Sequence, residues 1–311
     1  MKPKICVIGS LNMDLVTETE YIPKMGESMY GLSFNTYSGG KGGNQAVAAS
    51  HLGADTFMIG CVGNDSFGAD LIKELSENGV NTDFISKTSE TTTGVATIIV
   101  CNNDNCIIVK NGANEKNTIE MIEKNIFKIL KSDILVLQNE IPMEVNKYIM
   151  EKAKNKVRVI YNHAPFSAVC KELLKLVTVL IVNEHECAGI LERDIETLED
   201  AKNAVMEIHS WGVENVIVTM GKLGSVYNDK DKFIEVKSRE VKAVDTTAAG
   251  DTFCGAIAVS LACGLDINEA VEYANLSASI TVTKKGAQAS IPYYSEVLAL
   301  PEAKDIKLKF D

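Results

Sequence analysis

Short apolar runs alternate with amphipathic stretches along most of this chain. Ile5–Gly9, Phe57–Val62, Ile134–Leu137, Val157–Tyr161, Val179–Val182 and Val216–Thr219 are brief and rich in β-branched residues. Their length and composition predict buried strands. Between them, apolar residues recur at helical spacing in Asn44–Leu52, Phe67–Asn78, Ile119–Leu130, Glu144–Lys154 and Leu198–Trp211. That alternation predicts a mostly parallel sheet with helices on both faces. In such sheets ligands bind at the carboxyl ends of the strands. The segment Gly255–Ala262 is apolar on every side and reads as a buried helix.

Two stretches break the rhythm. Asp14–Tyr37 and Thr92–Val109 are strand-like, with few helix formers. They predict an antiparallel flap outside the main sheet. The run Asn102–Asn105 has turn composition and predicts a hairpin within it. No tandem repeat or low-complexity linker is visible, and Glu302–Asp311 is a charged tail with no predicted element.

The chain has 311 residues, 46% of them hydrophobic, enough for one large core. A net charge of −11 argues against a general nucleic-acid or anionic-membrane surface. A nucleotide would have to be held by backbone amides, a few lysines and metal ions. The eight cysteines are scattered and form no Cys-x-x-Cys pair, which predicts free thiols in a reducing compartment. The apolar run after Lys2 and Lys4 is too short for a signal peptide, and no stretch is long enough to span a bilayer. The chain therefore reads as cytoplasmic.

Three constellations carry chemistry. The first is Ala243–Gly255, in which small residues precede Asp251 at the start of the buried helix. A helix start offers unpaired N–H groups and partial positive charge, which suits a phosphate. Asp251 beside it could accept a proton from a hydroxyl, or could simply occupy the first turn as a capping acid. The second is Ser38–Ala49, four glycines around Lys41 followed by an alanine-rich helix. It lacks the spacing of a Walker A loop, and the first strand is followed by Gly9-Ser10-Leu11-Asn12 rather than a G-x-G-x-x-G fingerprint. A nicotinamide enzyme is disfavoured on that ground. The third is Asn12 with Asp14, short polar side chains suited to sugar hydroxyls, or to an ordinary turn.

Gly39–Asn44 (Gly-Gly-Lys-Gly-x-Asn) and Asp245–Phe253 (Asp-Thr-x-x-Ala-Gly-Asp-x-Phe) resemble the two signatures of the PfkB carbohydrate-kinase family, in order and at the right spacing. The resemblance covers nearly the whole chain. It implies a Rossmann-like three-layer αβα domain over residues 1–311, with a small β-sheet lid from about 14–37 and 92–109 that also forms a homodimer contact. It implies ATP-dependent phosphorylation of a sugar, D-ribose at its 5-hydroxyl in the first place, with 2-deoxyribose or a nucleoside as alternative acceptors. A sugar-binding regulator without catalysis is a more distant alternative.

The same resemblance makes Asp251 the catalytic base and Ala248, Ala249 and Gly250 the anion hole. Asn12, Asp14, Gly40, Lys41, Gly42, Asn44 and Glu140 match the sugar pocket. Asn183, Thr219, Gly221, Lys222, Gly224, Gly250 and Asn275 match nucleotide-binding positions. Glu186 is associated indirectly with Mg²⁺. Asp245, Thr247, Thr281, Lys284, Gly286 and Ser290 match a site for an activating K⁺, partly through backbone carbonyls. Gly43 and the stretch Tyr161–Pro165 depart from the common family pattern, and His163 could line the site. His185 and Cys187 lack the further ligands that zinc needs.

Overall fold

The computed structural model describes residues 2–310 apart from Asn103, Val169, Asp305 and Lys307, and excludes the side chains of Asp104 and Asn105. Its strands in chain order are β1 (Lys4–Ile8), β2 (Asn12–Glu18), β3 (Ser33–Gly39), β4 (Asp55–Gly63), β5 (Asn81–Thr88), β6 (Gly94–Cys101), β7 (Asp104–Lys110), β8 (Ile134–Gln138), β9 (Arg158–Asn162), β10 (Val179–Asn183), β11 (Asn215–Thr219), β12 (Ser225–Asp229) and β13 (Lys232–Val236). The helices are α1 (Lys41–His51), α2 (Ser66–Glu77), α3 (Ile119–Ile129), α4 (Met143–Ala153), α5 (Lys171–Leu174), α6 (Glu184–Leu191), α7 (Leu198–Ser210), α8 (Ala249–Ala262), α9 (Ile267–Thr281) and α10 (Tyr294–Leu298).

Among the described residues the main sheet has nine strands in the order β13-β12-β11-β10-β9-β8-β1-β4-β5. From β11 to β5 every pairing is parallel; β12 and β13 close one edge as an antiparallel hairpin. The predicted parallel strands are all present. Their continuous apolar character follows from burial on both faces. Ile5 and Val7 of β1 point to one face with α1, α8 and α9, while Cys6 and Ile8 point to the other with α4 and α7. This period-two partition yields three layers from one apolar run.

The predicted flap exists as a second sheet, in the order β3-β2-β6-β7. The sequence predicts an antiparallel flap, and the structure corrects this in one pairing. β2 and β6 pair in parallel across Asn12↔Gly94 to Glu18↔Val100. The reason is topological. Both strands continue outward from strands of the parallel sheet and leave the same carboxyl edge, so they run in the same direction. β3 and β7 then return as hairpin partners. The predicted turn is present as the β6–β7 connection, with Asn102 at a φ of 50°; Asn103 lies outside the described residues. The C-terminal tail docks rather than trailing free over its described part. Ile306 and Leu308 are buried, and the Phe310 ring meets Tyr294 edge-on at 5.0 Å.

Two helices set the functional geometry. α8 is buried from Asp251 to Leu261 and packs between α1 and α9. It can approach α1 closely because both surfaces are small. A methyl group on Gly255 would sit 2.5 Å from Ala48 Cβ. Close packing brings the two helix N-termini side by side, at the carboxyl edge of the sheet where strand order reverses about β1. That reversal point is where open α/β sheets bind ligands.

Candidate active site

Gly40 turns the chain from β3 into α1 at a φ of 86°. A side chain there would also strike Asn12 N at 2.7 Å, so glycine is required twice over. The turn delivers Lys41, Asn44 and Gln45 to the first five residues of α1. Lys41 N donates to Glu140 Oε2 at 2.9 Å, and the Ser10 hydroxyl donates to the same oxygen. Burial alone would lower the Lys41 pKa; the carboxylates of Asp251, Glu140 and Glu186 outweigh it and hold the ammonium above its ordinary value.

Asp251 lies in the first turn of α8 and is only 7% exposed. Its two oxygens accept from neutral amides of α1, Oδ2 from Asn44 Nδ2 and Oδ1 from Gln45 Nε2, both at 2.9 Å. No side chain caps α8. Ala248 precedes the helix at a φ of 61°, a left-handed conformation that costs a non-glycine residue about 1–2 kcal/mol. Strain of this kind gathers where a ligand needs a particular backbone. A methyl group built on Gly250 would meet nothing within 4 Å. Ala248 is buried and Ala249 N already donates to Thr246 O at 3.3 Å, so of the expected anion hole Gly250 is the residue that fronts open space at an uncapped helix start, an arrangement able to receive an anion.

Asn12 and Asp14 enter from β2. Asn12 Oδ1 accepts from Asn114 Nδ2 at 2.7 Å, which leaves the Asn12 amide nitrogen to face a ligand. Asn114 also ties both backbone groups of Leu11, so this distant residue fixes the strand exit. Asp14 lies over Gly39, where an added Cβ would fall 2.5 Å from Asp14 Oδ2. Burial, then the charges of Glu140 and Asp251, push the Asp14 carboxyl up to about 7. Gly42 packs against the β1 exit, with Gly42 N donating to Ser10 Oγ at 3.3 Å. Asn12, Asp14, Gly40, Lys41, Gly42, Asn44, Glu140 and Asp251 thus converge in one cluster.

The remaining positions lie along the sheet edge. Asn183 and Glu186 cap α6 reciprocally, with Glu186 Oε2 accepting from Asn183 N at 2.9 Å and Asn183 Oδ1 from Glu186 N at 2.8 Å. Burial raises the Glu186 pKa against the pull of that bond and of Lys41. Thr219 ends β11, and Gly221 and Gly224 bracket the turn that carries Lys222, at φ 52° and 106°. Asn275 on α9 donates to Ser225 Oγ at 3.1 Å.

The proposed cation residues are brought together only in part. Asp245 accepts from Thr247 N and Oγ1 and from Gly286 N, so these three form one cluster. Burial pulls the Asp245 pKa upward, but those hydrogen bonds outweigh it and hold the group low. Thr281 Oγ1 instead donates to Thr252 Oγ1 beneath α8, Ser290 Oγ to Ala287 O, and Lys284 Nζ pairs with Glu296 at 2.7 Å.

Sequence reasoning missed Gln45, Gln138, Asn114 and Asn162 as parts of the site. Gln45 stands beside a motif residue, the one local signal available. Gln138 stands two residues before Glu140 and Asn162 lies in the unusual Tyr161–Pro165 stretch, but their partners are distant in sequence, and nothing near Asn114 points to it. His163 is buried away from the pocket's charges, its ring nitrogens facing Tyr161, Asn139 and Ser167 O. Burial lowers its pKa. None of the eight cysteines is paired. Among the described residues no cluster of three or more His, Cys, Asp or Glu could hold a metal, and no helix is long and apolar enough to cross a membrane.

Comparison with known proteins gives a consistent picture. The pattern of the pfkB family carbohydrate kinases matches residues 2–293. A ribokinase of Bacillus subtilis is 40% identical over 294 residues, covering 94% of this chain and 97% of that one. A deoxyribokinase of Salmonella typhi is 35% identical over 309 residues, covering 96% and 99%. The structure of an Arabidopsis thaliana ribokinase complexed with ribose and ATP superposes with a TM-score of 0.89 at 33% identity, covering 96% of this chain and 98% of that one.

Proposed function

The chain belongs to the pfkB family of carbohydrate kinases, and from that premise we propose that it transfers the γ-phosphoryl group of ATP to the 5-hydroxyl of D-ribose. The observation that carries this reading is the meeting of two helix starts at the strand-order reversal: a buried carboxylate, Asp251, beside uncapped amides over open space. The ribokinase relatives support ribose as the acceptor.

In this reading the sugar lies between β2 and α1. Asp14 accepts hydroxyl hydrogens and Asn12 donates to a ring hydroxyl. Asn44 has a buried Oδ1 with no donor, so it can accept from the sugar while its nitrogen bonds Asp251. Asp251 orients the 5-hydroxyl and takes its proton. A carboxylate is a far weaker base than an alkoxide, so proton transfer comes late, and positioning is the larger part of its work. Charge on the transferred group is met by the amides of Gly250 and Asp251 at the helix start and by the Lys41 ammonium. The chain Asn183, Thr219, Gly221–Gly224 and Asn275 forms the nucleotide's side of the cleft. A sugar that already carries a phosphate is disfavoured, because the pocket offers a single lysine.

Glu186 fits a water-mediated contact to Mg²⁺. One of its oxygens is committed to Asn183 N, and Mg²⁺ is ordinarily held by one or two carboxylates together with substrate phosphates and water. When bound, Mg²⁺ neutralises phosphate charge. Asp245 fits K⁺ as a single carboxylate close to the α8 start, with the Thr247 hydroxyl oxygen beside it and Gly286 N bonded to its other oxygen.

The β2-β3-β6-β7 sheet acts as the lid and excludes water on closure. Its edge strand β7 exposes Ile107, Ile108 and Val109 in succession, and Phe34 of β3 is 63% exposed. Apolar edges of this kind call for cover, which supports a homodimer through the lid. A cytoplasmic setting accords with eight unpaired thiols.

The test is a side-by-side measurement of phosphorylation rates for ribose, 2-deoxyribose, fructose and adenosine, with Asp251→Asn alongside. Ribose should be turned over fastest. Asp251→Asn should keep its fold and lose about a hundredfold or more in kcat. Near-unchanged turnover in that variant would remove Asp251 from its role.

A further inference from the structure

We propose that Gln45 is the positioning residue of the Asp251 carboxylate, held in place by a buried chain of amide side chains running back through Gln138 to Asn146. The inference rests on the reading of Asp251 as the group that meets the acceptor hydroxyl.

Gln45, Gln138 and Asn146 are all fully buried, although each carries a polar amide that costs free energy unless it is bonded. Gln45 Nε2 donates to Asp251 Oδ1 at 2.9 Å and to Asn162 Oδ1 at 3.1 Å. Gln45 Oε1 accepts from Gln138 Nε2 at 2.7 Å. Asn146 of α4 donates to the backbone oxygen of Gln138 at 2.6 Å, which pins the end of β8. Room for the Gln138 side chain comes from Gly9, where a Cβ would fall 2.0 Å from Gln138 Oε1.

The network permits one orientation of Gln45. Asn162 spends its nitrogen on Ile181 O, so it turns its oxygen toward Gln45. Gln138 turns its nitrogen toward Gln45 and leaves its own buried Oε1 without a donor, so Asp251 and Asn162 are what set the orientation. A reversed Gln45 amide would set oxygen against both the Asp251 carboxylate and the Asn162 oxygen, and nitrogen against nitrogen. The donor therefore faces Asp251 by construction.

Asn44 and Gln45 hold opposite oxygens of the same carboxylate and differ in one respect. Asn44 keeps an unpartnered buried acceptor, whereas both polar atoms of Gln45 are occupied by the protein. Asn44 is thus open to rearrangement by a ligand. Gln45 is not, and it keeps Asp251 aimed while Asn44 also engages the sugar. Its effect belongs to kcat, because a misplaced reacting group costs rate more than binding.

The experiment compares Asp251→Asn, Gln45→Met and Gln138→Met as single variants, and the two glutamine variants also in the Asp251→Asn background, by steady-state kinetics with ribose and ATP. Melting temperatures establish that each variant is folded at the assay temperature. Gln45→Met should lower kcat on the order of ten- to hundredfold. Both KM values should stay within about threefold. Gln138→Met, which touches none of the bonds to Asp251, should act in the same direction and more weakly. In the Asp251→Asn background, Gln45→Met should cost less than about twofold more, because a residue acting through another has nothing left to position.

Unchanged kcat in Gln45→Met beside a collapsed Asp251→Asn overturns the inference, as do losses that multiply in the double variant. Retained turnover in Asp251→Asn overturns instead the reading beneath it. If Gln45→Met does not fold, Gln138→Met decides: unchanged kcat refutes, and a loss that vanishes in the Asp251→Asn background supports.

Discussion

Sugar affinity should fall as pH is lowered from 8 to 6, through protonation of Asp14. In the folded chain burial opposes ionisation of this carboxyl, and Glu140 and Asp251 add like charge, so that it gives up its proton at about 7 instead of its ordinary 3.8. The sign follows from linkage. The folded state holds a proton at Asp14 that the unfolded chain has released, so ionising Asp14 costs the unliganded protein stability as pH rises from 3.8 to 7. Sugar hydroxyls favour the opposite form. A carboxylate accepts two O–H donors, whereas the protonated acid has less acceptor capacity and a hydrogen of its own to place. With a pKa of about 7, roughly ten in eleven Asp14 side chains are ionised at pH 8 and one in eleven at pH 6. Ribose binding should weaken about tenfold between those values. Isothermal titration of ribose into nucleotide-free protein at pH 6, 7 and 8, at constant ionic strength, reads this directly. Asp14→Asn should bind more weakly at pH 8 and show a flat profile, which separates Asp14 from Glu186, whose pKa burial also raises. A flat profile in the unaltered protein, or an equal slope in Asp14→Asn, refutes the argument.

The other predictions concern the anion hole, the sugar and the cation. Gly250→Ala should leave the melting temperature unchanged, since the added methyl meets no protein atom, yet impair turnover by intruding on the space kept for the phosphoryl group; a fully active variant would show that space to be unused. Asn12→Met should narrow the preference for ribose over 2-deoxyribose by about 1–3 kcal/mol, because a hydroxyl missing from the sugar leaves the Asn12 amide unpaired in the native protein; equal weakening of both sugars would count against it. KCl titrated against choline chloride at fixed ionic strength should raise kcat more than it changes ribose binding, by ordering the Asp245–Gly286 bridge behind α8; equal rates with and without K⁺ would dismiss that site.

The layer architecture was legible in the chain because its cause is local. A strand buried on both faces must be apolar throughout, and a helix packed on one face must show helical spacing. The runs beginning at Ile134 and Val179 are strands within a residue of where the pattern places them. Elements with weaker patterns escaped. β5 lies at a sheet edge and is only partly buried, so its sequence lacks the apolar run that marked its neighbours. The β12–β13 hairpin escaped too.

The glycine-rich signature Gly39–Asn44 and the small-residue signature Asp245–Phe253 located the site, since tight turns and close approaches restrict residue type at the position itself. The direction of β2 against β6 was not legible: strand pairing depends on where each chain segment leaves the main sheet. Nor was the amide chain behind Asp251. Gln45 and Asp251 are 206 residues apart, Gln45 and Gln138 93 apart, and each taken alone is an ordinary polar residue. Local composition determined that this chain would form helices, strands and an anion-receiving helix start. Only packing of α1 against α8 decided which side chains would hold the carboxylate there, because hydrogen-bond partners are chosen by distance in space and leave no period in the sequence.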